Sequence, residues 1–269
     1  QRPGNRAVQV GSYGPPMASP DLPAAKRSGL HVDLARLSAE GDAGLSPEDR
    51  YALKTHGVCA QLQPGVFMVR VRVPGGVLPT EQARGLARVV KRHGSDWAHV
   101  TTRQNVELHW VDARSVEATL SELAQVGLST RSACGHTLRN VVCSEDAGVG
   151  LDEPFDCFPD AALVSDAIVS RSDELNRVLP SRLNISFGGS ARCRRDARVN
   201  DAGFVSTVRD GACGYELWAG GSLGKAPRLA VKLSDFVDRT DVLAAAEALI
   251  DVFVEHGEVG AAFAVLLDG

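Results

Sequence analysis

The sequence predicts an α+β fold built from two successive units. With 269 residues, 44% of them hydrophobic, the chain is long enough to bury a core in one or two domains. Residues 63–128 are predicted to form strand, helix, two strands and helix, the larger part of a ferredoxin-like split βαβ sandwich. The remainder mixes helices and strands. We therefore expect a ferredoxin-like half-domain at 63–128 followed by a mixed α/β domain at 129–269.

Residues 1–62 are predicted to be an extended N-terminal arm that carries a short helix. The first 45 residues are rich in Pro, Gly, Ser and Ala and show no sustained periodicity. Such a segment is either disordered or wraps around a partner. Ser46 then suits the N-cap of a helix and Pro47 its first position, so we expect a short helix that ends at Thr55.

Hydrophobic periodicity assigns the elements of the ferredoxin-like half-domain. Alternating apolar residues predict strands at 66–73, 97–100 and 106–111. Apolar residues at helical spacing predict helices at 80–93 and 115–126. Glycine directly after each helix supports these ends.

The second unit is predicted from longer apolar segments and one turn signal. Helices are expected at 158–178 and 240–255, and a buried strand at 183–187. An Asp-Gly pair between two alternating stretches predicts a hairpin of strands 203–209 and 215–219.

Composition excludes several classes of function. The net charge is only −4 and aromatic residues make up 5%, so the sequence does not predict a nucleic-acid-binding protein. There is no run of about eighteen apolar residues and no signal-peptide pattern, so we expect a cytoplasmic protein without membrane attachment. The six cysteines are too few for a disulfide framework and contain no Cys-x-x-Cys pair, which favours free thiols.

A short polar segment, Thr-Thr-Arg-Gln-Asn at 101–105, separates two of the predicted strands. Its five consecutive side chains can all form hydrogen bonds. A guanidinium between hydroxyls and carboxamides suits bidentate recognition of a carboxylate or another oxyanion. The simpler interpretation is a polar hairpin turn.

Three further stretches accompany this segment in a fixed order. They are Phe-Met-Val-Arg-Val-Arg-Val-Pro-Gly-Gly at 67–76, Cys-Gly-His-Thr-Leu-Arg-Asn-Val-Val-Cys at 134–143 and Leu-Pro-Ser-Arg-Leu-Asn-Ile at 179–185. Together with 101–105 they resemble the nitrite and sulfite reductases that carry sirohaem and a 4Fe-4S cluster. The resemblance covers roughly residues 50–258, and it implies that residues 129–269 form the haemoprotein domain of that family.

The resemblance implies an oxidoreductase that reduces nitrite to ammonia or sulfite to sulfide with six electrons. Arg70 and Arg139 correspond to residues on the distal face of the macrocycle, where they would bind the oxygens of the small anion. Arg182 and Asn184 fall where the family has Lys-x-Lys or Lys-x-Asn. Asparagine slightly favours nitrite, whereas arginine in place of lysine departs from both patterns and is a poorer proton donor.

Sirohaem is an iron tetrapyrrole edged with many carboxylates, so its site requires cations and hydrogen-bond donors. Asp201, beside Asn200, matches a further landmark of the family. No metal ligand is predicted in this chain. The residues that the resemblance assigns to the cofactor are Arg72, Thr101, Thr102, Arg103, Gln104, Asn105, His109, Asn140, Asn200, Gly220, Gly221 and Ser222.

The cluster ligands of the family are absent. These ligands form a Cys-x5-Cys and a Cys-x3-Cys pair, and no two of the six cysteines here have either spacing. The resemblance therefore implies a first half only, whose partner is a cluster-bearing second half or subunit supplied with electrons by a donor such as ferredoxin. Two alternatives remain open: a structural or binding subunit without redox chemistry, and a tetrapyrrole enzyme similar to precorrin-3B synthase.

Overall fold

A computed structural model describes residues 19–224 and 226–268. Its α-helices are α1 (Leu22–Arg27), α2 (Leu34–Glu40), α3 (Pro47–Thr55), α4 (Thr80–His93), α5 (Val116–Gln125), α6 (Phe158–Ser170), α7 (Ser172–Val178), α8 (Arg194–Ala197) and α9 (Val242–His256). Its strands are β1 (Val58–Ala60), β2 (Val66–Val71), β3 (Ala98–Val100), β4 (Val106–Asp112), β5 (Val142–Cys143), β6 (Ile185–Gly188), β7 (Ala202–Arg209), β8 (Ala212–Ala219) and β9 (Val231–Asp238). No helix in this part of the chain is both long and apolar enough to cross a bilayer.

The first sheet has the order β1-β2-β4-β3, and all its pairings are antiparallel. One face packs against α4 and α5, because alternate side chains such as Val69 and Leu108 join Leu86 and Val89 of α4 in a single core. The opposite face is left for polar residues. Strand, helix, two strands and helix follow one another as predicted, and the ferredoxin-like assignment is confirmed.

The second sheet has the order β5-β6-β7-β8-β9. Strands β5, β6 and β7 are parallel to one another, whereas β8 and β9 continue the sheet in antiparallel pairings. Its core holds stacked Phe187 and Phe204, with Tyr215 edge-on to both rings. Helices α6 and α9 contribute residues to the same core. This mixed sheet with helices confirms the predicted α/β second unit.

The prediction of an extended arm is wrong for residues 22–40. Helices α1 and α2 form there, each capped by an aspartate, Asp21 and Asp33, whose side chain accepts a backbone N–H. Leu37 is fully buried in the first core. Helices of six or seven residues are too short to show a period, so only their packing partners stabilise them. The part of this prediction that concerns residues 1–18 lies outside the described residues.

Two other differences have local causes. The helix predicted at 158–178 is interrupted at Arg171, where α6 ends and α7 begins. The edge strand β9 was not predicted. Most of its side chains are exposed or half-buried, so burial leaves no strong apolar pattern in the sequence, and the strand is fixed by its backbone pairing with β8.

Candidate functional site

The polar segment 101–105 is the hairpin turn between β3 and β4. Thr101 and Asn105 are paired by a backbone hydrogen bond of 2.9 Å, and the Asn105 N–H also donates to Thr101 Oγ1 at 3.1 Å. Gln104 adopts a left-handed backbone with φ of 52°. The segment is therefore a polar turn, as the simpler interpretation held, and it also forms one wall of a cavity.

Two carboxamides fix this turn against the second unit. Asn140 Nδ2 donates to the carbonyls of Val73 and Arg103 at 2.8 and 3.1 Å. The Gln104 side chain bonds both backbone groups of Cys143, at 2.7 and 3.0 Å. Both amides were predicted to contact the cofactor; in the structure they hold the turn in place, Gln104 also lines a second cavity, and Asn140 Oδ1 has no hydrogen-bond partner within the described residues.

The main cavity, of about 500 Å³, opens beside this turn. Nine of the predicted site residues line it, namely Arg70, Thr101, Thr102, Arg103, Asn105, Arg139, Arg182, Asn184 and Ser222. A second cavity of about 320 Å³ shares Thr102 and Arg103 with it and is also lined by Gln104 and Asn200. Side chains that are more than a hundred residues apart in the sequence thus converge on one space.

The charge of the main cavity is positive. Four arginines line it against two carboxylates, those of Glu107 and Asp201, which gives a net charge of +2 when both acids are ionised. Glu107 Oε1 accepts from Arg70 Nε and Nη2 at 2.9 and 2.5 Å, so the charge of Arg70 is matched by a fixed partner. Asp201 Oδ2 accepts from the backbone and the side-chain amide of Asn184, both at 2.8 Å.

Several buried polar atoms of the cavity lack a hydrogen-bond partner within the described residues. They are Arg103 Nη1, Arg139 Nε and Asn105 Oδ1. Arg103 donates through Nη2 to Asn200 Oδ1 at 2.8 Å, and burial lowers the pKa of its guanidinium to about 10. Unpartnered buried donors are costly, and an anion in the cavity would satisfy them.

Five predicted cofactor residues line neither cavity: Arg72, His109, Asn140, Gly220 and Gly221. A Cβ on Gly221 would lie 2.3 Å from the carbonyl oxygen of Arg198, so the close approach of another part of the chain requires glycine at this position. Arg72 is buried and donates to the carbonyl oxygens of Leu138 and Arg139 at 2.9 and 3.3 Å.

Glu107 is the important residue that sequence reasoning missed. It alternates with Leu108 along β4, which in the sequence is the pattern of a solvent-facing polar residue. The polar face of this sheet is turned to the cavity instead, so Glu107 is only 8% exposed. The sole available signal was its position two residues after the polar turn.

Four of the six cysteines lie in two neighbouring pairs, and the described residues contain no cysteine cluster of the kind that binds a metal. The thiols of Cys59 and Cys134 are hydrogen-bonded, and this contact, together with the charges of Arg70 and Arg139, lowers the pKa of Cys134 to about 7. Cys143 and Cys157 form the second pair, in which the Cys157 thiol raises the pKa of Cys143. Within residues 19–224 and 226–268, no group of three potential metal ligands contains a cysteine.

Lowering the pH through about 6 is expected to tighten anion binding in the main cavity. Burial raises the pKa of Asp201 to about 6, so the carboxylate gains a proton below that pH and the net charge rises from +2 to +3. A unit charge about 8 Å away, at an effective dielectric constant of about 40, contributes about 1 kcal/mol, or roughly fivefold in affinity.

Titrations with nitrite at pH 5.5 and 7.5 measure this change, and Asp201→Asn is the matched control. Combined with Cys134→Ser, which removes the nearby thiol whose pKa is about 7, that variant should bind nitrite equally well at both pH values. An unchanged pH dependence in Asp201→Asn would assign the effect to another group.

Comparison with protein families matches each of the two units to a known domain family. Residues 60–126 match the nitrite/sulfite reductase ferredoxin-like half domain, and residues 134–262 match the nitrite and sulphite reductase 4Fe-4S domain. A ferredoxin–nitrite reductase of Leptolyngbya laminosa is 33% identical over 227 residues, which cover 82% of this chain and 44% of that protein.

Other relatives support the same family assignment. A sulfite reductase [ferredoxin] of Mycobacterium tuberculosis is 30% identical over 198 residues, or 73% of this chain and 35% of that protein. The structure of the Mycobacterium tuberculosis NirA protein superposes with a TM-score of 0.79 at 25% identity, covering 91% of this chain and 49% of that one. The chain thus spans less than half the length of the curated relatives described. By sequence and by fold, it belongs to the nitrite and sulfite reductase family.

Proposed function

We propose that this chain is the first half of a sirohaem-dependent reductase that converts nitrite to ammonia or sulfite to sulfide. The observation that carries this proposal is the main cavity, in which the half-buried Arg103 and Arg139 each retain one buried, unpartnered nitrogen. The names of the relatives, ferredoxin–nitrite reductase and sulfite reductase, support the same reaction class.

The residues of the cavity fit a macrocycle edged with carboxylates. Arg103 and Arg182 would pair with those carboxylates, and Thr101, Thr102 and Ser222 place hydroxyl groups along the same wall. The unpartnered Arg103 Nη1 is the donor that an added carboxylate would satisfy. When bound, sirohaem supplies the iron to which electrons are delivered and at which the small anion is reduced.

Arg139 is the stronger of the two predicted anion-binding arginines. Its Nη1 and Nη2 donate to the carbonyl oxygens of Ala133 and Gly135 at 3.0 and 2.8 Å, which fixes the guanidinium plane without neutralising its charge. Arg70 is equally well positioned but is paired with Glu107. We infer that Arg139 supplies most of the charge felt by the oxyanion and that Arg70 contributes mainly orientation.

A 4Fe-4S cluster does not fit the cysteines of this chain. The two neighbouring thiol pairs and the wrong spacings leave no set of four thiolates within the part of the chain that the structure describes. We therefore place the cluster ligands on a second half or partner subunit, which would receive electrons from a donor such as ferredoxin.

We also infer that nitrite, and not sulfite, is the preferred substrate. The single ground is that Asn184 is the variant associated with nitrite reductases.

The test is to express the chain together with its cluster-bearing half in cells that make sirohaem. We expect the purified complex to show the visible spectrum of sirohaem and to consume nitrite or sulfite with a reduced low-potential donor. Arg103→Ala should lower the sirohaem content, whereas the exposed Arg88→Ala on α4 should not. A complex that binds no tetrapyrrole would exclude the reductase and leave a subunit without redox chemistry.

A further inference from the structure

Three potential metal ligands lie together on the polar face of the first sheet. His99 on β3 is the direct cross-strand partner of Glu107 on β4, and His109 follows Glu107 by two residues along the same strand. Opposite partners and alternate residues point to the same face of a sheet. The register of the hairpin therefore brings two imidazoles and one carboxylate to one place.

The distances match a coordination site better than a hydrogen-bonded cluster. Glu107 Oε2 lies 3.7 Å from His99 Nδ1 and 3.4 Å from His109 Nε2, and all three atoms lie within 4.8 Å of one another. Ligand atoms about 2.1 Å from a tetrahedral ion are separated by roughly 3.4 Å. His109 Nε2 is buried and has no hydrogen-bond partner within the described residues, so a lone pair of this ring is available.

The neighbouring side chains hold these ligands in position. Arg70 occupies Oε1 of Glu107 through two hydrogen bonds, which leaves Oε2 directed at the two imidazoles. The ring of Trp97 stacks on His109 with centroids 5.2 Å apart and fixes the plane of that imidazole. Such outer contacts orient metal ligands in known sites.

We propose that His99, Glu107 and His109 bind one divalent transition-metal ion, with Zn²⁺ as the best chemical match. Two neutral imidazoles and a carboxylate form a ligand set that Zn²⁺ accepts in other proteins, and three protein ligands leave a fourth position open. Glu107 also lines the main cavity, so the ion would lie in its wall and add positive charge there. This proposal does not depend on the proposed function, because it concerns binding of the metal alone.

The experiment is titration of the full chain, stripped with a chelator, with Zn²⁺ in a calorimeter and with Co²⁺ as a visible-absorption probe. We expect one equivalent of either metal to bind and Co²⁺ to show the bands of a four-coordinate ion. His99→Ala, Glu107→Gln and His109→Ala should each weaken binding at least about tenfold. The side chain of His99 is 64% exposed on an edge strand, so His99→Ala should fold normally. A loss of metal binding in this variant can therefore be attributed to the missing imidazole.

Two matched variants complete the design. His256 lies 3.7 Å from Glu255, like His99 from Glu107, but within the described residues it belongs to no group of three potential ligands, so His256→Ala should bind metal as the wild type does. Cys134→Ser tests the hydrogen-bonded thiols as a competing site and should also leave binding unchanged. The proposal is overturned if no metal binds, if His99→Ala binds as tightly as the wild type, or if only Cys134→Ser abolishes binding.

Discussion

Replacing Arg139 with alanine is expected to raise the oxyanion concentration needed for half-maximal turnover by about 100-fold in the reductase proposed above. A hydrogen bond to a charged group is worth about 1.5 to 3 kcal/mol, and the upper part of that range applies to a buried guanidinium whose position is already fixed. Arg139 is held by two backbone carbonyls and keeps an unpartnered Nε within the described structure. Steady-state kinetics with nitrite and with sulfite measure the change.

Arg70→Ala provides the comparison that makes this prediction specific. The Arg70 guanidinium is paired with Glu107, so Glu107→Gln is combined with Arg70→Ala to leave no bare carboxylate, and removing this neutral pair should weaken oxyanion binding less than the loss of Arg139. Sirohaem content should remain unchanged in Arg139→Ala, and Arg139→Lys should recover part of the binding because it restores the charge without the planar fork. Wild-type kinetics in Arg139→Ala would refute the assigned role.

Replacing Arg72 with alanine is expected to lower the free energy of unfolding by about 3 to 5 kcal/mol, or roughly 10 °C in the unfolding midpoint. Arg72 is among the largest fully buried side chains of the protein. It follows β2 and donates to the carbonyl oxygens of Leu138 and Arg139 and to Ser165 of α6, so it joins the two units. Alanine would leave these acceptors unsatisfied and open a cavity.

Arg72→Met separates the effect of the lost hydrogen bonds from the effect of the cavity. Burial lowers the pKa of the Arg72 guanidinium to about 10, which shows that its charge is held at a cost in free energy. Methionine fills much of the space but leaves the same three acceptors unsatisfied, so we expect a smaller loss than in Arg72→Ala, of about 2 to 3 kcal/mol. Chemical denaturation of both variants measures the difference. Equal unfolding midpoints for wild type and Arg72→Ala would show that Arg72 does not join the units.

Much of the fold was predictable because its signals are local. Helix α4 begins at Thr80 and ends at His93 as predicted, since apolar residues at helical spacing and a following glycine are properties of one short segment. The hairpin of β7 and β8 was found from its Asp-Gly turn. Helices α1 and α2 and strand β9 were not predicted, because short helices and exposed edge strands carry little periodicity of their own.

The site was predictable only as a set of residues. Motif order indicated that Arg70, Arg103 and Arg139 belong together, and all three line one cavity. The assignment of roles within the set was beyond sequence, as Gln104 and Asn140 illustrate. Their amides are the same chemical group whether they hold a ligand or a turn, and only the carbonyls that surround them decide which.

The sequence by itself determined the family, the types of most helices and strands, and most of the residues that share the main cavity, because motifs and periodicity are carried by neighbouring residues. The tertiary structure alone decided the partner of each charge: Glu107 for Arg70, backbone carbonyls for Arg72 and Arg139, and two imidazoles beside Glu107. The pairings of Glu107 depend on the register of the first sheet, whereas the contacts of Arg72 with Leu138 and Arg139 are made only when the two units pack together.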